Sequence, residues 1–125
     1  MAEKPTTNNA TTGQPGSLTV AAATIDNIRV LTLAGEIDHH TGSRLEAALD
    51  ITGTGRPRIV IDLAQVTFLD SSGINILIHA HQTATAAGGW LRLAAPAGPV
   101  QRVLELVGID QVIDCHPALH HALHP

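Results

Sequence analysis

The sequence contains almost no aromatic residues: one phenylalanine, one tryptophan and no tyrosine in 125 residues. Hydrophobic residues nevertheless make up 44% of the chain, which is typical of a folded globule and excludes a disordered chain. The hydrophobic core is therefore expected to consist of Leu, Ile, Val and Ala. The length suffices for one domain with a single two-layer core.

Cysteine is nearly absent as well. Cys115 stands alone, so an internal disulfide is excluded and a reducing, cytoplasmic environment fits best. The first sixteen residues contain no apolar run of the kind found in signal peptides or membrane spans. We predict a flexible polar leader in residues 1–16, one domain in residues 17–125, and no membrane crossing.

Basic residues are few and scattered. Seven Lys and Arg stand against eleven Asp and Glu, for a formal net charge of −4, and no Lys/Arg run occurs, which argues against a nucleic-acid partner. The phosphate-binding pattern G-x-x-x-x-G-K-[ST] and the hydrolase pattern G-x-S-x-G are also missing. Nothing in the sequence calls for a cofactor.

The first half of the folded region predicts a hairpin followed by a helix. Two β-rich runs, LTVAAAT and IRVLTLA, flank the turn-forming Ile25-Asp26-Asn27. Gly35 is predicted to end the second strand. The helix after it shows apolar residues at helical spacing, at Leu45, Ala48 and Leu49, with His40 or Thr41 as a cap near its start, and the stretch 52–57 breaks it.

The second half alternates strands and helices. The predicted elements are a strand RIVIDLA at 58–64, a helix from about Ser72 to Ala87 stopped by Gly88-Gly89, a strand WLRLAA, an amphipathic helix closed by Gly108, a strand QVIDC, and a terminal helix after Pro117. Because the later crossovers should be right-handed, we predict an α/β fold with a mixed five-stranded sheet and about four helices.

The junction FLDSSGINILI places an acid, two hydroxyls and a glycine between a strand and a helix. Ser and Asp at a helix start commonly accept backbone N–H bonds, so the serines could simply cap the helix. The same helix terminus also tolerates a phosphate group. By local chemistry Ser71 and Ser72 are nearly equivalent as modification sites.

The C-terminal histidines fall at helical spacing. His116, His120 and His124 stand at i, i+4 and i+8 on the predicted terminal helix, and two histidines spaced in this way can bind a transition metal. Because Leu119, Ala122 and Leu123 should take the apolar face, we expect at most adventitious metal binding there. No metal site is predicted.

Two segments, LAGEIDHHTGSRLEAAL and IVIDLAQVTFLDSSGINIL, together resemble the anti-sigma factor antagonists of the STAS superfamily (sulfate transporter and anti-sigma antagonist domains). The resemblance extends from about Leu18 to Leu123. It implies phosphorylation at Ser71, binding to an anti-sigma factor with serine kinase activity, release of a sigma factor, reversal by a PP2C-type phosphatase, and no enzymatic activity of the chain itself. The implied partner-binding residues are Asp38, Asp70, Ser72, Gly73 and Asn75.

Asn75 departs from the family pattern, since relatives often have a small residue at that place. Two other functions share some of these features. One is a STAS scaffold or accessory subunit in a stress-sensing or lipid-transport complex. The other is a serine hydrolase that uses Ser71 or Ser72.

Overall fold

A computed structural model describes residues 17–51 and 55–125. The predicted leader, residues 1–16, and residues 52–54, the first half of the predicted helix break, lie outside these ranges. The elements in chain order are β1 (Leu18–Ile25), β2 (Ile28–Ile37), α1 (Gly42–Ala48), β3 (Arg58–Leu69), α2 (Ser71–Ala86), β4 (Trp90–Ala94), α3 (Gly98–Leu106), β5 (Asp114–His116) and α4 (Leu119–Leu123).

The five strands form one sheet in the order β1-β2-β3-β4-β5. β1 and β2 are antiparallel, and every later neighbouring pair is parallel. The predicted α/β class and mixed five-stranded sheet are thus confirmed. The predicted hairpin is confirmed too: Asp26 and Asn27 have φ values of 52° and 65°, the paired positive values of a two-residue turn that matches strand twist.

The core lies between the sheet and the helices α1, α2 and α3. Because strands β2 to β5 follow one another across the sheet, right-handed crossovers put all three helices on one face. The short helix α4 packs on the opposite face through Ala122 over Ile28, Val30 and Val60. The largest fully buried side chains of the described residues are all leucine or isoleucine, as the composition predicts.

The Gly-Gly stop of α2 is confirmed in detail. The amide of Gly89 donates to the carbonyl of Ala84 at 2.9 Å, and that of Gly88 to Thr85 at 3.0 Å. Gly88 has a φ of +81°, so this is a Schellman motif, in which the glycine takes the left-handed conformation that closes the helix.

Two predicted strand ends are wrong. β2 continues past Gly35 to Ile37, and β3 continues past Ala64 to Leu69. The β2–β3 register shifts twice, between Thr32 and Ala34 and between Gly35 and Glu36, and each shift leaves one extra residue on β3. These bulges break the alternation of apolar residues along β3. The sequence pattern therefore predicted a shorter strand followed by a connection where the structure has one continuous strand.

The C-terminal assignment also needs correction. Residues Ile109–Gln111 form a 3-10 turn, and the last strand is Asp114–His116 instead of QVIDC. His116 therefore lies in β5 and not on the terminal helix with His120. Within the described ranges no group of three metal-ligating side chains is assembled. No helix in these same ranges is long and apolar enough to cross a membrane.

Candidate functional site

Two strand ends meet at one edge of the sheet. Ile37 ends β2 and Leu69 ends β3, and the two residues are register partners in the parallel ladder, about 5 Å apart across the strands. The amide of Asp70 donates to the carbonyl of Ile37 at 3.2 Å. The acids that follow the two strands, Asp38 and Asp70, are therefore brought to adjacent corners.

Asp70 is the N-cap of α2. Its backbone is extended, with φ −107° and ψ −173°, and its Oδ1 accepts from the amides of Ser72 at 2.9 Å and Gly73 at 3.2 Å. These are the free N–H groups at the helix start that need an acceptor. Asp70 thus performs the capping role that the sequence left open between the acid and the serines.

The two serines differ once they are folded. Ser71 is the first residue of α2 and is exposed, whereas Ser72 is half-buried. The hydroxyl of Ser71 makes no hydrogen bond to any other residue of the described ranges. Since Asp70 already occupies the nearest amides, the fold makes no use of the Ser71 hydroxyl.

Gly73 is buried beneath this corner. A Cβ at Gly73 would overlap the side chains of Leu69 and Ile37, and its distance to Ile37 Cγ2 would be only 2.6 Å. Side chains at the two strand ends fill the space that a side chain at this position would need. The glycine lets α2 start directly against β2 and β3, so it positions Ser71 without reaching the surface.

The second corner is held by Asp38 and Thr41. Asp38 Oδ1 accepts from the amides of His40 at 2.9 Å and Thr41 at 3.0 Å. The Thr41 hydroxyl accepts from the Asp38 amide at 2.9 Å and donates to the Glu36 carbonyl at 2.8 Å. Thr41 occupies the N-cap position of α1, but its side chain braces the preceding turn instead of bonding to the helix.

The turn amides also set the charge of this corner. The backbone amide of Thr41, with a smaller contribution from that of His40, lowers the pKa of Asp38 below its ordinary value of 3.8, although partial desolvation opposes this. Asp38 is therefore ionised throughout the physiological range. The exposed rings of His39 and His40 stack with their centroids 3.9 Å apart, beside the ionised carboxylate.

The surface around Ser71 extends beyond the residues that the sequence pointed to. Phe68 remains 47% exposed two residues before the cap. On the other side, exposed Asn75 lines a groove of about 620 Å³ between α1 and α2, together with Ile76, His79 and Glu46. An exposed aromatic side chain and an open groove are each features of surfaces that contact another protein.

Sequence reasoning missed Thr41 as a brace and Phe68 as an exposed residue. Thr41 carried no signal beyond a possible cap, because its two backbone partners lie on β2 and in the turn. Phe68 falls just after the second register shift, where the alternation of apolar residues no longer indicates which side chains are buried. One feature of the sequence could have indicated that Phe68 is exposed: it is the single phenylalanine of a chain whose core is aliphatic.

Comparison with known proteins gives one consistent result. The model of the STAS domain matches residues 19–122. The anti-sigma-F factor antagonist RsfB of Mycobacterium tuberculosis is 33% identical over 112 residues, covering 87% of this chain and 89% of RsfB.

Solved structures agree with it. The crystal structure of an anti-sigma factor antagonist from Mycobacterium paratuberculosis has a TM-score of 0.78 and 32% identity, covering 87% of this chain and 93% of that one. A putative anti-sigma factor antagonist from Thermotoga maritima, at 19% identity, TM-score 0.75 and coverage of 83% and 91%, shares the fold. The chain therefore belongs to the STAS domain family, and its relatives are anti-sigma factor antagonists.

Proposed function

We propose that this chain binds an anti-sigma factor that is also a serine kinase, and that this binding releases a sigma factor. Phosphorylation of Ser71 by the kinase switches the binding off, and a PP2C-type phosphatase restores it. The names of the relatives support the antagonist role. The single observation that carries the switch is the exposed Ser71 at the start of α2, whose hydroxyl the fold does not use.

The proposed contact surface surrounds that hydroxyl. Asp38, Asp70 and Asn75 form its polar part, and half-buried Ser72 lies beside Ser71. Gly73 belongs to the site as a positioning residue, because it is buried against the two strand ends. Exposed Phe68 adds an apolar contact that a partner can cover.

Electrostatics explains how a phosphate would act as an off-signal. A phosphoserine adds about −1.5 to −2 charges at neutral pH. Here it would stand next to the Asp70 cap, at the edge of the sheet where ionised Asp38 follows the neighbouring strand. A partner docked over this surface would have to desolvate the dianion, and like charges brought together cost several kcal/mol. A loss of about 3 kcal/mol corresponds to roughly 150-fold weaker binding.

The same geometry protects the fold from the modification. The amides of Ser72 and Gly73 remain bonded to Asp70, so a phosphate on Ser71 displaces no hydrogen bond. The positive end of the α2 dipole partly offsets the added charge. The modification should therefore change binding much more than stability.

Other functions have less support. A serine nucleophile needs a base within hydrogen-bond reach, and in the described ranges no imidazole is hydrogen-bonded to Ser71 or Ser72. A fluorophosphonate probe, which labels activated serines, is expected to leave the native protein unlabelled. Covalent labelling at Ser71 or Ser72 would favour the hydrolase instead.

Tandem mass spectrometry of the protein from its native cells tests the switch. We expect a phosphate on Ser71, with an occupancy that changes between growth conditions. An unmodified peptide in every condition would contradict the switch and favour a constitutive STAS scaffold. A phosphate confined to Ser72 would contradict the assignment to Ser71.

A further inference from the structure

Three arginines from two distant parts of the sequence meet in one pocket at the other end of the sheet. The pocket has a volume of about 410 Å³ and is lined by Arg29, Arg56 and Arg58. The chain has only seven Lys and Arg in total and a net charge of −4. Nearly half of its basic side chains thus surround one cavity in an acidic protein.

The strand register brings these side chains together. Arg29 pairs with Thr24 across the hairpin and with Ile59 in the parallel ladder. Arg58 directly precedes Ile59, and Arg56 lies two residues before Arg58. Two stretches of chain therefore bring three guanidinium groups together: Arg29 lies at the start of β2, and Arg56 and Arg58 lie at the start of β3.

The segment that carries two of the arginines is firmly anchored. The carbonyl of Pro57, between Arg56 and Arg58, accepts from the amide of Trp90 at 2.8 Å. A Cβ at Gly89 would overlap the backbone of Pro57, so the glycine permits the close approach. Such anchoring lowers the entropy lost when the arginines bind a ligand.

The lining has the chemistry of an anion site. None of the described residues that line the pocket is an aspartate or a glutamate, while Thr24 and Asn27 add neutral hydrogen-bonding groups. Guanidinium groups form paired hydrogen bonds to phosphate oxygens and are weakly hydrated. Because no carboxylate is among the described lining residues, the three guanidinium groups repel one another. A bound anion would relieve that repulsion.

We propose that this pocket binds a small phosphorylated anion through Arg29, Arg56 and Arg58. No aromatic ring is among its described lining residues, so the ligand is held by its phosphate groups and not by stacking of a base. The site is separate from Ser71, because β3 runs for twelve residues between the two ends, a distance of about 35 Å.

Titration of the full-length protein with inorganic pyrophosphate at constant ionic strength tests the proposal. Binding is followed by NMR of the arginine side-chain N–H groups and by calorimetry. We expect saturable shifts at the three pocket arginines. Each single Arg→Gln change in the pocket should weaken binding about three- to tenfold. Arg102→Gln, an exposed arginine on α3, is the matched control and should change it less than about twofold.

Phosphatidylglycerol vesicles form a second arm that distinguishes a lipid headgroup from a free phosphate. Vesicle binding that the pocket variants abolish assigns the phosphate to a lipid, and pyrophosphate binding without vesicle binding assigns it to a soluble ligand. The proposal is overturned if the arginine signals of the wild-type protein do not shift in either arm. It is also overturned if Arg102→Gln weakens binding as much as the pocket variants do. Either result leaves the Ser71 switch untouched.

Discussion

The amide of Asp70 donates a hydrogen bond to the carbonyl of Ile37 at 3.2 Å. This bond joins the end of β3 to the end of β2, at the point where each strand is followed by a turn toward a helix. It places the Asp70 cap and the Asp38 turn at one edge, with Ser71 exposed beside them. The stability of this corner and the reactivity of its serine can therefore be tested separately.

Removal of the cap should cost stability. Asp70→Ala leaves the amides of Ser72 and Gly73 without an acceptor, so we expect a loss of about 1 kcal/mol in the free energy of unfolding. Asp70→Asn keeps an acceptor oxygen and should lose far less. Urea denaturation measures both, with Asp110→Ala as the control, because Asp110 makes no cap hydrogen bond. Equal stability of Asp70→Ala and Asp110→Ala would show that the cap contributes nothing.

A methyl group at Gly73 should strain the corner. Gly73→Ala forces a Cβ against Ile37 and Leu69, and overpacking of this kind costs about 1–3 kcal/mol. Gly55→Ala is the control, since no atom of the described residues lies within 4 Å of a Cβ built there. Thermal denaturation of the two variants measures the difference. If Gly73→Ala melted with the wild-type protein, the tight packing described for this glycine would be wrong.

Acid should weaken the Asp38 corner. A carboxyl with a lowered pKa stabilises the fold above its unfolded pKa, near 3.8 for Asp38, and this contribution disappears as the pH falls through the lower folded pKa. Asp38→Asn cannot titrate, so its stability should decrease less between pH 6 and pH 2 than that of the wild type. Urea denaturation across this range, with NMR titration of the Asp38 carboxyl, provides the check. An Asp38 pKa above 3.8 would contradict the turn geometry.

The Cys115 thiol should be unreactive in the folded protein. Burial, with the charges of Asp110 and Asp114 as smaller causes, raises its pKa to about 11. Because the thiolate is the nucleophile, alkylation by iodoacetamide at pH 8 should be about 100-fold slower than for a free thiol. The same reaction in urea is the control and should proceed at the ordinary rate. Equal rates in the two conditions would contradict the raised pKa.

Much of the fold could be predicted from the sequence because its signals are local. The Asp26-Asn27 turn and the Gly88-Gly89 stop depend on a few adjacent residues, and the amphipathic pattern of α3 lies within its nine residues. The strand ends at Gly35 and Ala64 were misjudged because the bulges depend on pairing between β2 and β3, which no single segment reveals. The prediction for His116 was wrong for a related reason. Its spacing to His120 in the sequence is helical, but pairing between β4 and β5 places it in the sheet.

The sequence predicted which residues form the candidate site, but it did not predict the separate role of each one. Asp70, Ser71, Ser72 and Gly73 stand out as a group. Only the fold shows that Asp70 caps the helix, Gly73 is buried and Ser71 is exposed. The arginine pocket was not predictable, because Arg56 and Arg58 are neighbours in the sequence but only the strand register brings Arg29 to them.

The central claim is that a phosphate on Ser71 strongly weakens partner binding without unfolding the protein. The partner, an anti-sigma factor, is first captured with a Ser71→Ala bait. The most direct measurement then compares its affinity for two forms of the protein, one unmodified and one with phosphoserine incorporated at position 71. Protein with phosphoserine at position 72 is the control, and thermal midpoints are recorded for all forms. We expect about 150-fold weaker binding for the Ser71 phosphoform, with a midpoint within a few degrees of the unmodified protein. Unchanged affinity with a similar midpoint would contradict the account.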